Sequence, residues 1–345
     1  MSKQRKLKKQ KTQKTFSADM PQIPGKSVIS FGKPQPILTT GTEYQQVTYN
    51  DRANWWQLPI ERLALAELPN MNGQHGGILY ARKNMIAADY QSGGLTTEQL
   101  ESAIFDFLLF GDVAIVKVRN YFGEVIDLEP IPSLYMRRRK TGEFILLQKG
   151  EPLVYEPEDI IFLRQYDPQQ QIYGLPDYIG GIHSALLNTE GTIFRRKFYY
   201  RGGTTGFILY TTDPNISAEV EAEIKKKVEQ DGDIGNFSNL FINIPKGDPE
   251  GVKIINISDI GAKDEFNNIK SITAKDVLNA HRFPPGLAGI FADGVAMPNP
   301  DTARETYRKD EVIPVQRKIA KIIKEDPEIP EKLHLIFSSL TEDKG

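Results

Sequence analysis

The chain contains few residues of the types that usually hold metals or catalyse reactions. It has four histidines, His75, His183, His281 and His334, and no cysteine. No two of these histidines are four residues apart or at another spacing typical of a metal site. The absence of cysteine excludes thiolate metal sites, disulfides and a cysteine nucleophile. We therefore interpret the histidines as structural and predict no metal and no cofactor.

Five carboxylates are the best candidates for a nuclease site that would hold two metal ions: Asp231, Asp233, Asp259, Asp264 and Glu265. They lie in predicted turns and segment ends, where acidic residues are usually only solvated. The sequence has neither a Gly-x-x-x-x-Gly-Lys-Ser/Thr loop nor a Gly-x-Ser-x-Gly elbow. The glycines 202, 203 and 206 end a predicted helix, whereas a phosphate cradle begins one. We predict that the chain is not an enzyme, and a nuclease is the third-ranked alternative.

Basic residues are concentrated in two places. The run Arg137 to Lys140 precedes a Thr141-Gly142 turn and could contact phosphate or simply be solvated. The other place is the N-terminus, where the candidate nucleic-acid contacts are Lys3, Arg5, Lys6, Lys8, Lys9 and Lys11. Residues 1–45 are predicted to be a disordered basic arm, for which binding and mere solubility are equally good interpretations. The net charge of −2 lacks the basic excess of a dedicated duplex-binding protein.

The elements that would position these residues indicate an α+β fold. Thr96 and Gln99 form a capping box at the start of a predicted helix 96–110, which Gly111 ends. A helix 60–68 that stops before Pro69 precedes it. Five strands are predicted after it, at 113–118, 125–128, 134–139, 144–147 and 160–163. No apolar run is long enough to span a membrane, and no signal peptide is recognisable, so a cytoplasmic origin is expected.

The second half is predicted to be mainly helical around one small group of strands. Helices are predicted at 182–200, 217–230 and 273–280. A strand is predicted at 207–210, and segments 239–244 and 252–257 are predicted to pair as a hairpin. A loop at 291–300 leads into a charged helix capped by Asp301, which Pro314 is expected to kink or split.

Several motifs, in this order and spacing, resemble the PBSX family of phage portal proteins. The strongest are Tyr173-Gly174-Leu175-Pro176-Asp177-Tyr178, Gly206-Phe207-Ile208-Leu209-Tyr210, Gly235-Asn236-Phe237-Ser238-Asn239-Leu240-Phe241, Ala262-Lys263-Asp264-Glu265-Phe266 and Ala280-His281-Arg282-Phe283-Pro284-Pro285. Phe110-Gly111-Asp112 fits the same pattern. The match covers roughly residues 50–325.

The resemblance implies a portal fold with an α+β wing, a helical stem, a small α/β clip and a channel loop followed by a kinked helix. The implied segments are wing 46–177, first stem helix 178–202, clip 203–260, second stem helix 261–288, channel loop 289–300 and C-terminal part 301–345. The implied loop residues are Phe291, Asp293, Gly294, Met297 and Asn299. Because the chain ends soon after the last helix, any crown is expected to be small.

The resemblance also implies a function and partners. The chain would be one subunit of a ring, expected to be a dodecamer, at one capsid vertex of the virion. Double-stranded DNA would pass through it during packaging and ejection. The implied partners are terminase, a capsid or scaffold protein, and a head-completion or tail protein, with assembly in the bacterial cytoplasm and no membrane contact. The runner-up is a monomeric nucleic-acid-binding module that uses the basic arm.

Overall fold

The computed structural model describes residues 47–200, 207–211, 240–243, 252–256, 261–288 and 299–341. Three helices open the first part of the fold: α1 (Arg62–Met71), α2 (Gly73–Ala87) and α3 (Thr97–Phe110). Two short strands, β1 (Tyr49–Asn50) and β2 (Trp55–Trp56), precede α1, and β3 (Tyr90–Ser92) precedes α3. The capping box on α3 is confirmed, and Gly111 ends the helix at φ 84°.

The first helix is longer than predicted, because α1 continues through Pro69 to Met71. A proline in the last turn removes one N–H but leaves a helix that is about to end largely intact. Helix α2 was not predicted, since three glycines weaken its sequence signal. Gly76 is needed at a close contact, because a methyl group there would lie 2.1 Å from the Pro69 carbonyl oxygen.

Two antiparallel sheets follow α3. Strand β4 (Asp112–Arg119) lies between β5 (Val125–Ile131) and β9 (Ile160–Arg164). The second sheet has the order β6 (Met136–Arg138), β7 (Phe144–Leu146), β8 (Leu153–Tyr155). The predicted strand 134–139 is shorter than expected, because a 3-10 turn occupies Ser133–Tyr135. Strand β8 was not predicted.

Two long helices pack against each other, α4 (Ile182–Tyr200) and α5 (Gly261–Ala280). The predicted bounds of α4 are confirmed. The predicted helix 273–280 is only the last part of α5, which is 20 residues long. Asp264 and Glu265 therefore lie near the start of helix α5 and not in a connecting turn between elements.

The predicted hairpin of segments 239–244 and 252–257 is wrong. Strand β10 (Phe207–Thr211) lies between β11 (Leu240–Asn243), which is parallel to it, and β12 (Val252–Asn256), which is antiparallel. Turn residues between two strands signal a reversal, but they do not exclude a third strand from between them. The predicted helix 217–230 lies outside the described residues.

The C-terminal part is a single helical run with a wider turn in its middle. It comprises α6 (Pro300–Tyr307), a π turn (Arg308–Val312) and α7 (Ile313–Lys324). The π turn ends at Val312, two residues before Pro314, whose ring would lie against a carbonyl of the preceding turn in an unbroken α-helix. Strand β13 (Ile336–Phe337) then pairs with β3, and α8 (Ser338–Thr341) follows.

The principal hydrophobic core joins both halves of the chain. Helices α1, α2 and α3 contribute Leu65, Leu79 and Phe107, and α5 and α7 contribute Leu278 and Ile323. A smaller cluster lies between the two antiparallel sheets and includes Met136 and Tyr173. Across the described ranges, no helix combines the length and apolarity needed to cross a membrane.

Candidate functional site at the base of the long helices

A single buried asparagine attaches the base of α4 to α2. The Asn72 side-chain oxygen accepts hydrogen bonds from the backbone N–H groups of Gln74 and His75, which caps α2. Its amide nitrogen donates to the Ala185 carbonyl at 2.8 Å and to Thr189 Oγ1 at 3.2 Å on α4. Because one planar amide group accepts hydrogen bonds from α2 and donates hydrogen bonds to α4, it fixes the position of α4 on α2.

The long helices are joined by polar side chains as well as by apolar packing. Asn188 Nδ2 donates to Thr273 Oγ1 at 2.9 Å and to the Lys270 carbonyl at 3.2 Å. Nearer the base, Ser184 Oγ donates to Asp276 Oδ2 at 3.1 Å. Asp276 thus connects the two helices. Hydrogen bonds of this kind set the register of a helix pair more strictly than apolar contacts do.

The two buried histidines are not isolated, because the fold brings His75 and His281 together. His75 Nδ1 and His281 Nε2 are 2.9 Å apart, and His281 Nδ1 lies 3.2 Å from Arg82 Nη1. An arginine can only donate, so His281 Nδ1 accepts and its proton lies on Nε2, which donates to His75. The proton of His75 is then on Nε2, which has no partner among the described residues. The ring of Tyr178 packs against both histidines.

Both histidines are held neutral. Burial, reinforced by the neighbouring Arg82 cation, lowers the pKa of His75 to about 4. Burial also lowers the pKa of His281 to about 2, with His75 and Arg82 adding to the effect. Protonation of His75 at Nδ1 would place two N–H groups against each other, so the hydrogen-bonded pair requires the neutral form.

A chain of ion pairs continues from Arg82 to the protein surface. Arg82 donates two hydrogen bonds to Asp177, at 3.1 and 2.7 Å. Arg282 also donates to Asp177, at 2.6 Å, and makes a two-point contact with Glu311 in the π turn, at 2.6 and 2.9 Å. Burial would raise the pKa of Asp177, but the two arginines hold it below its ordinary value.

We call these residues the junction cluster: His75, Arg82, Asp177, His281, Arg282 and Glu311. The cluster connects α2, the segment before α4, the end of α5 and the π turn after α6. Arg282 closes α5 at φ 52°, which is uncommon for a residue other than glycine. Arg282 and Glu311 lie on opposite sides, in sequence, of segment 289–298, so the junction cluster fixes the protein on both sides of that segment.

A second buried cluster lies at the base of the β4–β5 hairpin. Arg62 donates to Asp112 at 2.5 Å and also to the Ser133 carbonyl. Asp112 accepts from the Gly174 N–H at 2.9 Å as well, and both charged side chains are at most 3% exposed. Burial raises the pKa of Asp112, while Arg62 and the Gly174 N–H act in the opposite direction. We call Arg62, Asp112, Ser133 and Gly174 the Asp112 cluster.

Most of the residues predicted for binding lie outside the described residues. Asn299 is the N-cap of α6, where its side chain accepts from the Asp301 N–H at 3.0 Å, so Asn299 and not Asp301 caps this helix. The other loop candidates, Phe291, Asp293, Gly294 and Met297, lie outside the described residues. So do the basic arm residues, Lys3, Arg5, Lys6, Lys8, Lys9 and Lys11, and the carboxylates Asp231, Asp233 and Asp259.

The basic run that begins in β6 makes contacts within the protein. Arg137 donates to the carbonyls of Leu134 and Met136, and burial lowers its pKa. Arg138 donates to the Ile172 carbonyl and lies over the rings of Phe144 and Phe162, at 4.8 and 5.0 Å from their centres. The last two residues pair with carboxylates, Arg139 with Glu143 and Lys140 with Asp51. The run is therefore neither simply solvated nor free for phosphate.

In the part of the chain that the structure describes, no group of three or more histidine and acidic side chains could hold a metal ion. The His75–His281 pair faces the Arg82 cation, which would repel a metal. Sequence reasoning missed the junction cluster because residues in contact within it, such as His75 and His281, are 206 positions apart. The available signal was the clustering of Asp177, His281 and Arg282 in motifs that carry the family resemblance.

Comparison with known proteins decides the family. A model of the family described as phage portal protein matches residues 91–336. The chain belongs to the phage portal protein family. A probable portal protein of Haemophilus phage HP1 is 46% identical over 317 residues, covering 89% of this chain and 92% of the relative. A probable portal protein of Escherichia phage P2 is 30% identical, covering 93% and 94%.

Solved structures agree on the fold. A portal protein of the HK97 family from Corynebacterium diphtheriae aligns with a TM-score of 0.52 at 13% identity, covering 78% of this chain and 94% of that one. A chain in the neck of a native gene transfer agent particle, computed with C12 symmetry, aligns with a TM-score of 0.58 at 14% identity, covering 88% of both chains. The predicted α+β portal fold is confirmed.

The predicted function is confirmed at the level of the protein family. The protein is a phage portal subunit of a capsid vertex, and the alternative of a monomeric nucleic-acid-binding module is not supported. Portal proteins are structural components rather than enzymes. Two of the motifs that indicated the family contact each other in the Asp112 cluster, since Gly174 of one donates to Asp112 of the other.

Proposed function

We propose that this chain is one subunit of a closed ring of twelve copies, through which double-stranded DNA enters and leaves the capsid. The observation that carries the proposal is the family match over residues 91–336. The shared fold with a chain of a particle neck that was computed with C12 symmetry supports twelve copies. Closed rings use head-to-tail interfaces, in which one surface meets a different surface of the next copy.

We further propose which segments of the chain form each part of the portal subunit. Residues 46–177 form the wing, α4 and α5 belong to the stem, and segment 203–260 forms the clip. Segment 289–300 is the channel loop, with 301–345 behind it. This proposal is supported by the junction cluster, because a loop that meets moving DNA needs rigid attachments and Arg282 and Glu311 supply them.

The remaining partners follow from the role. The energy for packaging comes from a separate terminase ATPase, since the sequence has no phosphate-binding loop. A capsid or scaffold protein meets the outer surface, and a head-completion or tail protein meets the opposite end. The near-neutral net charge fits a channel that passes DNA without holding it, because each neutralised phosphate would strengthen binding. Assembly takes place in the host cytoplasm, and no catalytic role is proposed.

The proposal is tested by the assembly state of the purified protein. Native mass spectrometry should give a species of about twelve subunits, and negative-stain class averages should show rings with a central hole. A monomer that persists at high concentration and in the presence of scaffold or capsid protein would overturn the ring. A ring of another closed number would retain the channel and correct only the stoichiometry.

A further inference from the structure

Two neighbouring aromatic residues at the tip of the β4–β5 hairpin are almost completely exposed. Tyr121 is 100% exposed and Phe122 is 87% exposed. Exposed aromatic side chains cost hydration free energy, and adjacent ones mark surfaces that bind partners. Nothing in the Asp112 cluster or the junction cluster uses them.

Hydrogen bonds order the backbone of the tip that carries these rings. The Asn120 side-chain oxygen accepts from the backbone N–H groups of Phe122 and Glu124, at 2.9 and 3.0 Å. The Asn120 amide donates to the Glu124 carboxylate at 2.8 Å, and Gly123 takes the left-handed conformation at φ 85°. A tip that is ordered before binding loses little conformational entropy when it docks.

A matching groove lies on the surface between α1, α2, α3 and the start of the 3-10 turn Ser133–Tyr135. We call it the Phe105 groove; its volume is about 280 Å³. Tyr80 and Phe105 stack along one wall with ring centres 4.9 Å apart, and Pro69, Leu109 and Tyr135 extend the apolar lining. Since a cavity of roughly 150 Å³ can hold benzene, this groove has room for an aromatic side chain.

The groove also has one polar group suited to a phenol. Asp106 lies in its wall and accepts from the Ser133 N–H at 2.7 Å, and burial raises the pKa of this carboxyl group to about 6. A carboxyl group has acceptor positions beyond the one used by Ser133. Residues 120–123 carry no charge, so the two rings themselves bring no like charge to Asp106.

The tip and the groove cannot meet within one subunit. Phe110 and Pro132, which line the groove, come directly before β4 and directly after β5, at the base of the hairpin. The tip is at the other end of β4, whose eight residues span roughly 25 Å. The two surfaces are different and lie at opposite ends of one rigid ribbon, which is the arrangement that a head-to-tail contact requires.

We propose that the Tyr121–Phe122 tip of one subunit inserts into the Phe105 groove of the next copy of this chain in the ring. This inference rests on the proposed ring. The two aromatic residues would bury roughly 300–500 Å², less than the roughly 800 Å² per partner of a stable pair. The contact is therefore an anchor within a closed ring, where every subunit takes part in two such contacts, and not a complete dimer interface.

Cysteine cross-linking tests the contact directly, because the natural chain has no cysteine to compete. The double variant Tyr121→Cys with Tyr80→Cys should form a ladder of covalent oligomers when assembled rings are oxidised, up to a closed ring. In the matched control, Tyr121→Cys is combined with Leu153→Cys, at a residue 44% exposed outside the groove. The control should give no ladder, and a ladder of equal strength in both would overturn the proposal. Cross-links from the tip to a capsid protein instead would also overturn it.

A second measurement separates the contact from the ring itself. Tyr121→Ala with Phe122→Ala should raise the protein concentration at which half of the subunits are assembled about tenfold or more, because it removes a central aromatic anchor. The thermal unfolding of the monomer should not change, since both side chains are exposed. Tyr166→Ala, at another exposed aromatic residue, should leave assembly unchanged.

The outcomes are distinguishable. If the alanine variant assembles like the natural protein, the docking contact is wrong and the ring stands. If the natural protein forms no ring under any condition, both the ring and this contact fall together.

Discussion

The two buried clusters use the same kind of ion pair in different surroundings. In the Asp112 cluster, Arg62 is 3% exposed and Asp112 is completely buried. In the junction cluster, the chain begins at Arg82, which is 3% exposed, and ends at Arg282, which is 47% exposed. In a fully buried ion pair, neither charge has another partner if the first is lost. In a chain of ion pairs that reaches the surface, water can take the place of one carboxylate at a time.

The comparison indicates that the two clusters serve different needs. The Asp112 cluster fixes the base of the β4–β5 hairpin. The junction cluster attaches the long helices and the residues on both sides of segment 289–298. The six residues from Tyr173 to Tyr178 connect the two clusters, because Gly174 belongs to the first and Asp177 to the second.

The largest expected effect is the loss of the fully buried ion pair. Asp112→Ala should lower the free energy of unfolding by about 3–5 kcal/mol, because it leaves the Arg62 guanidinium buried and the Gly174 N–H without an acceptor. Denaturant unfolding of the assembled and dissociated protein measures it. The double change Arg62→Met with Asp112→Asn removes both charges and should cost less than Asp112→Ala alone. If the double variant loses as much stability as Asp112→Ala, or more, the two side chains are not coupled.

The junction cluster should be the more sensitive of the two to acid. His75 and His281 are neutral in the folded state, with pKa values of about 4 and about 2, and bind protons below about pH 6.5 when unfolded. Their stabilisation is therefore complete above about pH 6.5 and is lost as the pH falls towards 4. We expect the pair to lose about 3–4 kcal/mol of its stabilisation between pH 7 and pH 5.

Denaturant unfolding at both pH values checks this, with His75→Gln as the test and His183→Gln, on the exposed side of α4, as the control. The first should flatten the pH dependence and the second should not. Asp106, with its pKa raised to about 6, acts in the opposite sense, since its ionisation on raising the pH through this range destabilises the fold. A pH dependence that is equal in all three proteins would contradict the role of the histidine pair.

A smaller effect is expected at the exposed end of the chain of ion pairs. Glu311→Gln removes the charge that Arg282 contacts at two points, and should cost about 1 kcal/mol, because solvent already reaches Arg282. Hydrogen exchange should speed up at the end of α5 and in the π turn while the β4–β5 hairpin is unchanged. Faster exchange in the hairpin as well would mean that the two clusters are not independent.

The smallest effect is expected at pairs with both partners exposed. Lys140 and Asp51 are 57% and 88% exposed, and Lys321 and Glu325 are both 65% exposed. Asp51→Asn or Glu325→Gln should change the free energy of unfolding by less than about 0.5 kcal/mol. A thermal melt is sufficient to detect a larger change, which would remove the distinction between buried and exposed pairs.

Local signals explain which parts of the fold were predictable from sequence. The capping box of Thr96 and Gln99 and the apolar face of α4 depend on residues a few positions apart, and both helices were predicted within a residue. The first half of α5 is mostly polar, so it carries no periodic apolar signal of its own. The order of β10, β11 and β12 depends on pairing between distant segments, and the local turn signal was misleading.

The candidate site was predictable only through the family resemblance. No spacing rule connects His75 with His281, or Arg82 with Asp177, because only the folded chain brings them together. The four arginines and lysines of 137–140 show the converse, since a conspicuous local run proved to be committed to carbonyls, rings and carboxylates nearby.

The π turn Arg308–Val312 contains one residue more than the corresponding turn of an α-helix. The extra residue allows the helical segments before and after it to direct side chains at partners that one ideal α-helix could not reach together. On one side of it, Tyr307 packs edge-on against Phe283. On the other side, Gln316 donates to the Ile86 carbonyl and accepts from Ser339. Each residue of an α-helix advances the side chains by about 100°. A single-codon deletion within this turn would therefore rotate one face out of register with the other, whereas most single substitutions there would leave the register unchanged.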